Sequence, residues 1–301
     1  MTAPFGRLPL AEGLEVFALP GVVGELTALA APAVGSSRGI ALLVPGFTGS
    51  KEDFRFLLPM IASHGWDTIA FSNRGQADSV APAGVTSYRL EDFAADVVAV
   101  AETLGGSGIH LVGHSLGGLI ARAALVARPD LFADVTLLCS GPAGRAGRHQ
   151  EDADFVSAHG LLALWERDEP VEAARISAAR LRAIPRTASG HSDDCDVLRS
   201  NAAFVRDRFA ATSVDHYLGA VAVLQAAPDI SDEVRATGVP ILVAHGDADD
   251  AWPIADQQAM AERMDAQYAV IPNAGHLPNI DNPHFTAALL SQFWMSHPAH
   301  P

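Results

Sequence analysis

The stretch Gly113-His114-Ser115-Leu116-Gly117-Gly118 constrains this chain more than any other. It follows the apolar run Ile109 to Val112, which reads as a short buried strand, and precedes Leu119 to Ala127, whose composition reads as a helix. A serine on so sharp a strand-to-helix turn takes a strained backbone conformation. Side chains two residues to either side would collide with the returning chain, and Gly113 and Gly117 remove them. The turn pushes the Ser115 hydroxyl into the open, and the N–H of Leu116, at the start of the helix, faces any negative charge that develops beside it. Such a turn is a nucleophile elbow. The bland alternative, a plain turn serine, fits less well with the strand before it, the helix after it and the extra Gly118.

A length of 301 residues allows one large α/β domain or two small ones, and 49% hydrophobic residues is ample for a packed core. The net charge of −15 argues against nucleic acid or an anionic membrane as partner, since both need a basic face, and it predicts solubility. The scarcity of lysine, Lys51 alone, reads as coding bias. No charged-then-apolar leader and no bilayer-length apolar run is present, so a cytoplasmic location is expected. Cys139 and Cys195 lie far apart in a chain without an export signal, which predicts two free thiols with no catalytic role.

Along the chain, Leu14 to Ala31 alternates and is punctuated by Pro20-Gly21 and Gly24, the pattern of an antiparallel hairpin at a sheet edge. Gly39 to Val44 reads as a strand buried on both faces, and it ends in Pro45-Gly46-Phe47-Thr48-Gly49-Ser50. A glycine-rich loop at the carboxyl end of a central strand is where an open α/β sheet builds its site. The Phe47 N–H is therefore the candidate second donor beside that of Leu116, the pair forming an oxyanion hole. Glu52 to Ser63 has a helical pattern with Ser50 as N-cap. Strands at Asp67 to Phe71 and Val135 to Cys139, and a helix at roughly Leu90 to Leu104, continue the alternation. Arg74, in the loop after the first of these strands, is expected to tie loops together at the rim. The alternation predicts a mostly parallel, doubly wound α/β sheet.

That rhythm breaks from about Gly144 to Arg235, where helix-like blocks stand alone: Ala153 to Glu166, Val171 to Leu181, Val197 to Ala211 and Val214 to Ala226. Their regular apolar spacing excludes a linker and predicts a helical lid over the carboxyl edge of the sheet. The expected organisation is a core of residues 1–143 and 236–301 with a cap of 144–235. His191 with Asp193, Asp194 and Asp196 matches no metal-ligand spacing, so a solvated acidic turn is expected there.

The sheet resumes at Pro240 to Ala244 and leads into His245-Gly246-Asp247-Ala248-Asp249-Asp250-Ala251-Trp252-Pro253. Any of the three aspartates is placed at the strand end. A last strand, Gln267 to Ile271, precedes Pro272-Asn273-Ala274-Gly275-His276-Leu277-Pro278 and a final helix around Phe285 to Phe293. Serine, then a strand-end aspartate, then a late-loop histidine is a recognised triad order.

With these residues in place the chain resembles the α/β-hydrolase fold superfamily, in its serine-nucleophile form with a helical cap, like carboxylesterases and lipases, over nearly its whole length. The family pattern Gly-x-x-Asp-x-x-x-Pro falls on Gly246, Asp249 and Pro253, which implies Asp249 as the triad acid over Asp247 and Asp250. Ala274-Gly275-His276 matches the family's histidine loop and implies His276 as general base. Pro45-Gly46-Phe47 corresponds to the oxyanion loop, with proline where the family usually has histidine. The Asp-x-Arg-Gly-x-Gly-x-Ser element corresponds to Ser72 through Ser79 without its aspartate and second glycine, which implies a locally different loop.

The resemblance implies attack by Ser115 on a carbonyl after His276 takes its proton, with Asp249 orienting the imidazole, and no metal or organic cofactor. Serine at the elbow argues against the dehalogenating and epoxide-opening members, which place an aspartate there. Phe47, Leu116, Trp252, Leu164 and Trp165 are candidates to line an apolar acyl pocket, and His114 to touch substrate. The expected partner is a small-molecule carboxylic ester of short to medium chain. Two other readings stay open: another serine-triad chemistry (lactonase, thioesterase, carbon–carbon bond hydrolase or cofactor-free perhydrolase), and a non-catalytic ligand-binding protein.

Overall fold

The computed structural model describes residues 5, 10, 13–168 and 192–297, with side chains from residue 202 onward in the second stretch. Its strands are β1 (Glu15–Gly21), β2 (Gly24–Ala31), β3 (Ile40–Val44), β4 (Asp67–Phe71), β5 (Ile109–His114), β6 (Phe132–Leu138), β7 (Ile241–Gly246) and β8 (Gln267–Ile271). They form one sheet in the order β1-β2-β4-β3-β5-β6-β7-β8. β1 and β2 are the expected antiparallel edge hairpin, with Glu15 opposite Ala30 and Gly21 opposite Gly24, and β2 also runs antiparallel to β4. From β4 to β8 every neighbour is parallel.

The helices are α1 (Leu57–Ser63), α2 (Leu90–Thr103), α3 (Leu116–Ala127), α4 (Gln150–His159), α5 (residues 161–168), α6 (Ser192–Ala211), α7 (Val214–Ala226), α8 (Ser231–Ala236), α9 (Ile254–Met264), α10 (Pro278–Asp281) and α11 (Pro283–Ser296). α1 and α11 cover one face of the sheet through Leu57, Leu58, Leu290 and Trp294. α2, α3, α8 and α9 cover the other through Phe93, Val97, Ile120, Val234 and Met260. Coverage on both sides explains why β5 and β7 are buried along their whole length and carry almost no polar residue outside their histidines and glycines.

Two helices differ from the sequence pattern. The block from Glu52 to Ser63 is a short 3-10 turn, Lys51–Phe54, followed by α1. Pro59 has no N–H to give the carbonyl four residues earlier, so a continuous helix through Arg55 is excluded and α1 restarts with Pro59 in its first turn. The block from Ala153 to Glu166 is likewise two helices, parted at Gly160, which ends α4 with φ 85°.

α4 to α7 lie between β6 and β7 in the chain. Ala153, Val156, Leu161, Leu164, Tyr217 and Val221 form a small apolar cluster of their own, outside the sheet core, against which Phe47 packs. The junction of α6 and α7 is tied to the loops after β3 and β4: Arg208 pairs with Asp53 at 2.7 Å, and the Ser213 N–H donates to the Gly75 carbonyl at 2.9 Å. The Gly84 N–H donates to Asp215 at 2.7 Å. Asp193, Asp194 and Asp196 fall inside α6, not in a turn. His191 and the expected helix Val171 to Leu181 lie outside the described residues. Among the described residues no helix is long and apolar enough to cross a membrane.

Candidate active site

Ser115 stands between β5 and α3 with φ 55° and ψ −118°. A non-glycine residue held there stores on the order of 1–3 kcal/mol of strain. Two backbone hydrogen bonds hold it: the Ser115 N–H donates to the Leu138 carbonyl, and the Gly118 N–H to the Ser115 carbonyl, both at 2.9 Å. A Cβ on Gly113 would strike the carbonyl of Gly117, and one on Gly117 the carbonyl of Val44. The two glycines let β3, β5 and α3 close on one another around the serine.

The loops after β7 and β8 bring two more side chains to this point. The Ser115 hydroxyl donates to His276 Nε2 at 3.0 Å, and His276 Nδ1–H donates to Asp249 Oδ1 at 2.9 Å. Asp249 also accepts the Ala251 N–H at 3.0 Å and Gln257 Nε2 at 2.9 Å. Burial alone would raise the Asp249 pKa, but the hydrogen bond and charge of His276, with Gln257 and the Ala251 N–H, outweigh it and hold the carboxyl well below its ordinary range.

Geometry separates the three aspartates. Asp247 accepts the N–H groups of Asn273 and Ala274 at 2.9 and 3.1 Å and so pins the loop that carries His276. Asp250 lines the cavity above.

His114 is buried beside the trio. Its Nε2–H donates to the His276 carbonyl at 2.8 Å, and its ring lies 5.0 Å from the His276 ring. Burial and the neighbouring His276 push its pKa down to about 4, so it stays neutral near pH 7. His114, Cys139 and His276 bring donor atoms within 4.8 Å of one another, but they are poor metal ligands as placed. Both His276 nitrogens and the His114 Nε2 are engaged, and burial with the Asp249 charge raises the Cys139 thiol pKa well above its ordinary value. Cys139 is a buried free thiol.

The loop Pro45-Gly46-Phe47 is held by two buried side-chain amides that the sequence did not single out. Gln76 Nε2 donates to the carbonyls of Gly46 and Phe47 at 2.7 and 3.3 Å, and Asn73 Nδ2 to that of Pro45 at 3.5 Å. The Gly46 carbonyl and the Phe47 N–H belong to one trans peptide plane, so fixing the first points the second the opposite way. The Leu116 N–H opens α3, where helical N–H groups have no intrahelical acceptor. Gln76 and Asn73 lie in the segment that departs from the family pattern, and that departure was the available signal. Arg74, in the same loop, ties it to α2 through Asp96 at 2.6 and 2.9 Å, as expected of a rim arginine.

Above Ser115 lies a cavity of about 770 Å³. Of the residues expected there, Phe47, His114, Leu164 and Trp165 line it. Phe47 packs against Tyr217 with ring centroids 4.6 Å apart, and Trp165 against Phe209 at 5.7 Å. Trp252 and the Leu116 side chain are corrections. Leu116 is wholly buried in the core cluster, and Trp252 is only 1% exposed, turned inward against Gly141 with the Arg148 guanidinium over its ring at 4.2 Å. A wall of apolar residues was expected, yet Arg55, Arg148 and Arg208 and several aspartates share it.

A mostly parallel sheet carrying Ser, His and Asp at its carboxyl edge defines the class of protein, a hydrolase. The α/β hydrolase fold model matches residues 42–283, and the chain belongs to that family. A Bacillus subtilis (strain 168) protein named for 2-succinyl-6-hydroxy-2,4-cyclohexadiene-1-carboxylate synthase is 23% identical over 262 residues, 83% of this chain and 88% of that protein. A protein of Oryza sativa subsp. japonica named a probable esterase is 25% identical over 260 residues, 84% of this chain and 90% of its own length. Among solved structures, the enol-lactonase from Burkholderia xenovorans LB400 superposes with a TM-score of 0.72 at 20% identity, over 92% of this chain and 99% of that one.

Proposed function

We propose that this protein hydrolyses carboxylic esters through an acyl-serine intermediate. The observation that carries the reading is the unbroken hydrogen-bonded chain from Ser115 through His276 to Asp249, at 3.0 and 2.9 Å, beneath a cavity large enough for a small ester. Ser115 attacks the carbonyl as His276 takes its proton, and Asp249, kept ionised, holds the Nδ1–H tautomer and stabilises the imidazolium. The N–H groups of Phe47 and Leu116 receive the oxyanion. The intermediate collapses with cleavage of the bond to the alcohol oxygen, which leaves with the proton returned by His276, and water activated by the again neutral imidazole then releases the acid and restores Ser115. Residues 144–235 serve as the cap and 1–143 with 236–301 as the core.

The likeness to a protein named as an esterase agrees with this reading. A lactone opened by the same triad is the second reading, favoured by the charged cavity wall, which suits a small polar substrate better than a long acyl chain. The test is a panel of p-nitrophenyl esters of increasing acyl length on wild type and Ser115→Ala, with fluorophosphonate labelling of Ser115. Serine-dependent turnover supports the ester reading. Labelling without turnover favours the lactone or another specialised acyl substrate. Neither would mean the site does no acyl chemistry and would move a binding role to the front.

A further inference from the structure

We propose that the cavity takes an acyl substrate bearing a carboxylate, and that Arg148 is the residue that binds it. This rests on the serine-hydrolase reading and adds to it the class of substrate.

Several of the charged groups on the cavity wall already have an ion-pair partner, on the wall or just behind it. Arg208 pairs with Asp53 at 2.7 Å. Asp152 and Asp168 both pair with Arg167, at 2.6 and 2.7 Å. Arg148 differs: among the described residues it forms no ion pair, and its Nη1 is buried without a hydrogen-bond partner. The residue is nonetheless held in place. Its backbone N–H donates to the Arg145 carbonyl at 3.1 Å, its own carbonyl accepts Gln225 Nε2 at 2.8 Å, and its guanidinium carbon lies over the Trp252 ring, 4.2 Å from the centroid. Trp252 follows the triad acid Asp249 by three residues, so the platform beneath Arg148 and the catalytic carboxylate share one loop.

A buried N–H without an acceptor is costly, and a planar guanidinium on an aromatic face is arranged for a carboxylate arriving in its plane. Burial and the nearby Arg145 lower the Arg148 pKa, which an arriving anion would offset. The chemistry favours a carboxylate over a phosphate because the aspartates of the same wall tolerate one negative charge better than two.

The test compares kcat/KM for mono-4-nitrophenyl adipate and its neutral counterpart 4-nitrophenyl hexanoate, in wild type, Arg148→Met and Arg148→Lys. Methionine keeps apolar packing on Trp252, and lysine keeps the charge. A charge-assisted hydrogen bond predicts a wild-type preference for the anionic ester of roughly ten- to a hundredfold. That preference collapses in Arg148→Met and is partly regained in Arg148→Lys. A wild type without the preference, or an Arg148→Met that keeps it, overturns the proposal. Binding is read separately by thermal shift with glutarate, glutaramide and inorganic phosphate. Stabilisation by glutarate alone, lost in Arg148→Met, supports the proposal even if neither ester turns over, in which case only the ester reading fails. Equal shifts from glutarate and glutaramide overturn it, and a phosphate shift as large as that of glutarate overturns the carboxylate assignment.

Discussion

Gln76 donates from Nε2 to the Gly46 carbonyl at 2.7 Å, and through that one peptide plane it sets the direction of the Phe47 N–H. Gln76 is wholly buried, and its Oε1 accepts the Asn73 N–H at 3.0 Å, so the amide cannot flip without losing both bonds. It is a positioning residue for the proposed oxyanion loop.

Replacing Gln76 by Ala removes a donor from two carbonyls, leaves that of Gly46 with the longer bond from the Gly49 N–H at 3.3 Å, and loosens the loop. We expect kcat on the best aryl ester to fall roughly ten- to a hundredfold, short of the ~10²–10³ lost when an oxyanion donor itself is removed. KM should change less than kcat, because the loop meets the charge that develops in the transition state. Steady-state kinetics beside a melting curve checks this. An unchanged kcat would show that the loop keeps its direction without Gln76.

Ser115 separates stability from activity at a single position. Ser115→Ala should lower kcat by roughly 10⁴- to 10⁶-fold while leaving the φ of 55° as strained as before. Ser115→Gly should be as inactive but more stable than Ser115→Ala by about 1 kcal/mol, because glycine enters this region freely. For a chain of this size that is a rise of about 2 °C in Tm. Equal Tm values would mean the elbow is unstrained.

The elbow, the edge hairpin and the buried strands are legible in the sequence because each rests on local chemistry: two glycines around a serine, alternation punctuated by Pro20-Gly21 and Gly24, and apolar runs that tolerate no solvent face. Gln76 and Gln257 are not. A lone glutamine looks like a surface residue until the fold places it at a carbonyl or a carboxylate. On α9 the spacing Gln257, Met260, Ala261, Met264 marks one buried face, so a glutamine in that register was a readable sign of a buried polar contact. Trp252 misleads for the opposite reason. Its place three residues after Asp249 suggests the cavity, but chain distance does not say to which side of a loop a ring turns, and here it turns into the core.

Two histidines buried as neutral rings make stability depend on pH. Burial pushes His114 and His216 down to about 4 from an ordinary value near 6.5. Below about pH 6.5 the unfolded chain takes up protons that the folded chain does not, so stability is present above that pH and is lost as pH falls toward 4. The slope for the pair approaches about 2.7 kcal/mol per pH unit. His216 packs edge-on against Tyr88 and Phe93, at 5.7 and 5.6 Å, so His216→Phe keeps an aromatic ring there while removing one titration. Urea unfolding at pH 7.5, 6 and 5 should show the variant losing less stability on acidification than wild type, by about half of that slope. Parallel curves would mean that His216 takes up its proton without unfolding.

Cys139 sits where a reactive thiol is easily imagined, its donor atom within 4.8 Å of those of two histidines. The physics points the other way. The thiolate is the nucleophile, and burial together with the negative charge of Asp249 drives the thiol pKa well up, while its Sγ faces the Gly275 carbonyl at 3.9 Å. His114, buried and neutral, supplies no positive charge to reverse this. Native protein treated with iodoacetamide at pH 8 should therefore remain unmodified at Cys139 by peptide mass spectrometry, and the same residue should react fully in denaturant. Rapid labelling of the folded protein, with loss of ester turnover, would show that the site opens far enough to release the thiol from its burial, and would make the loop bearing His276 a moving part.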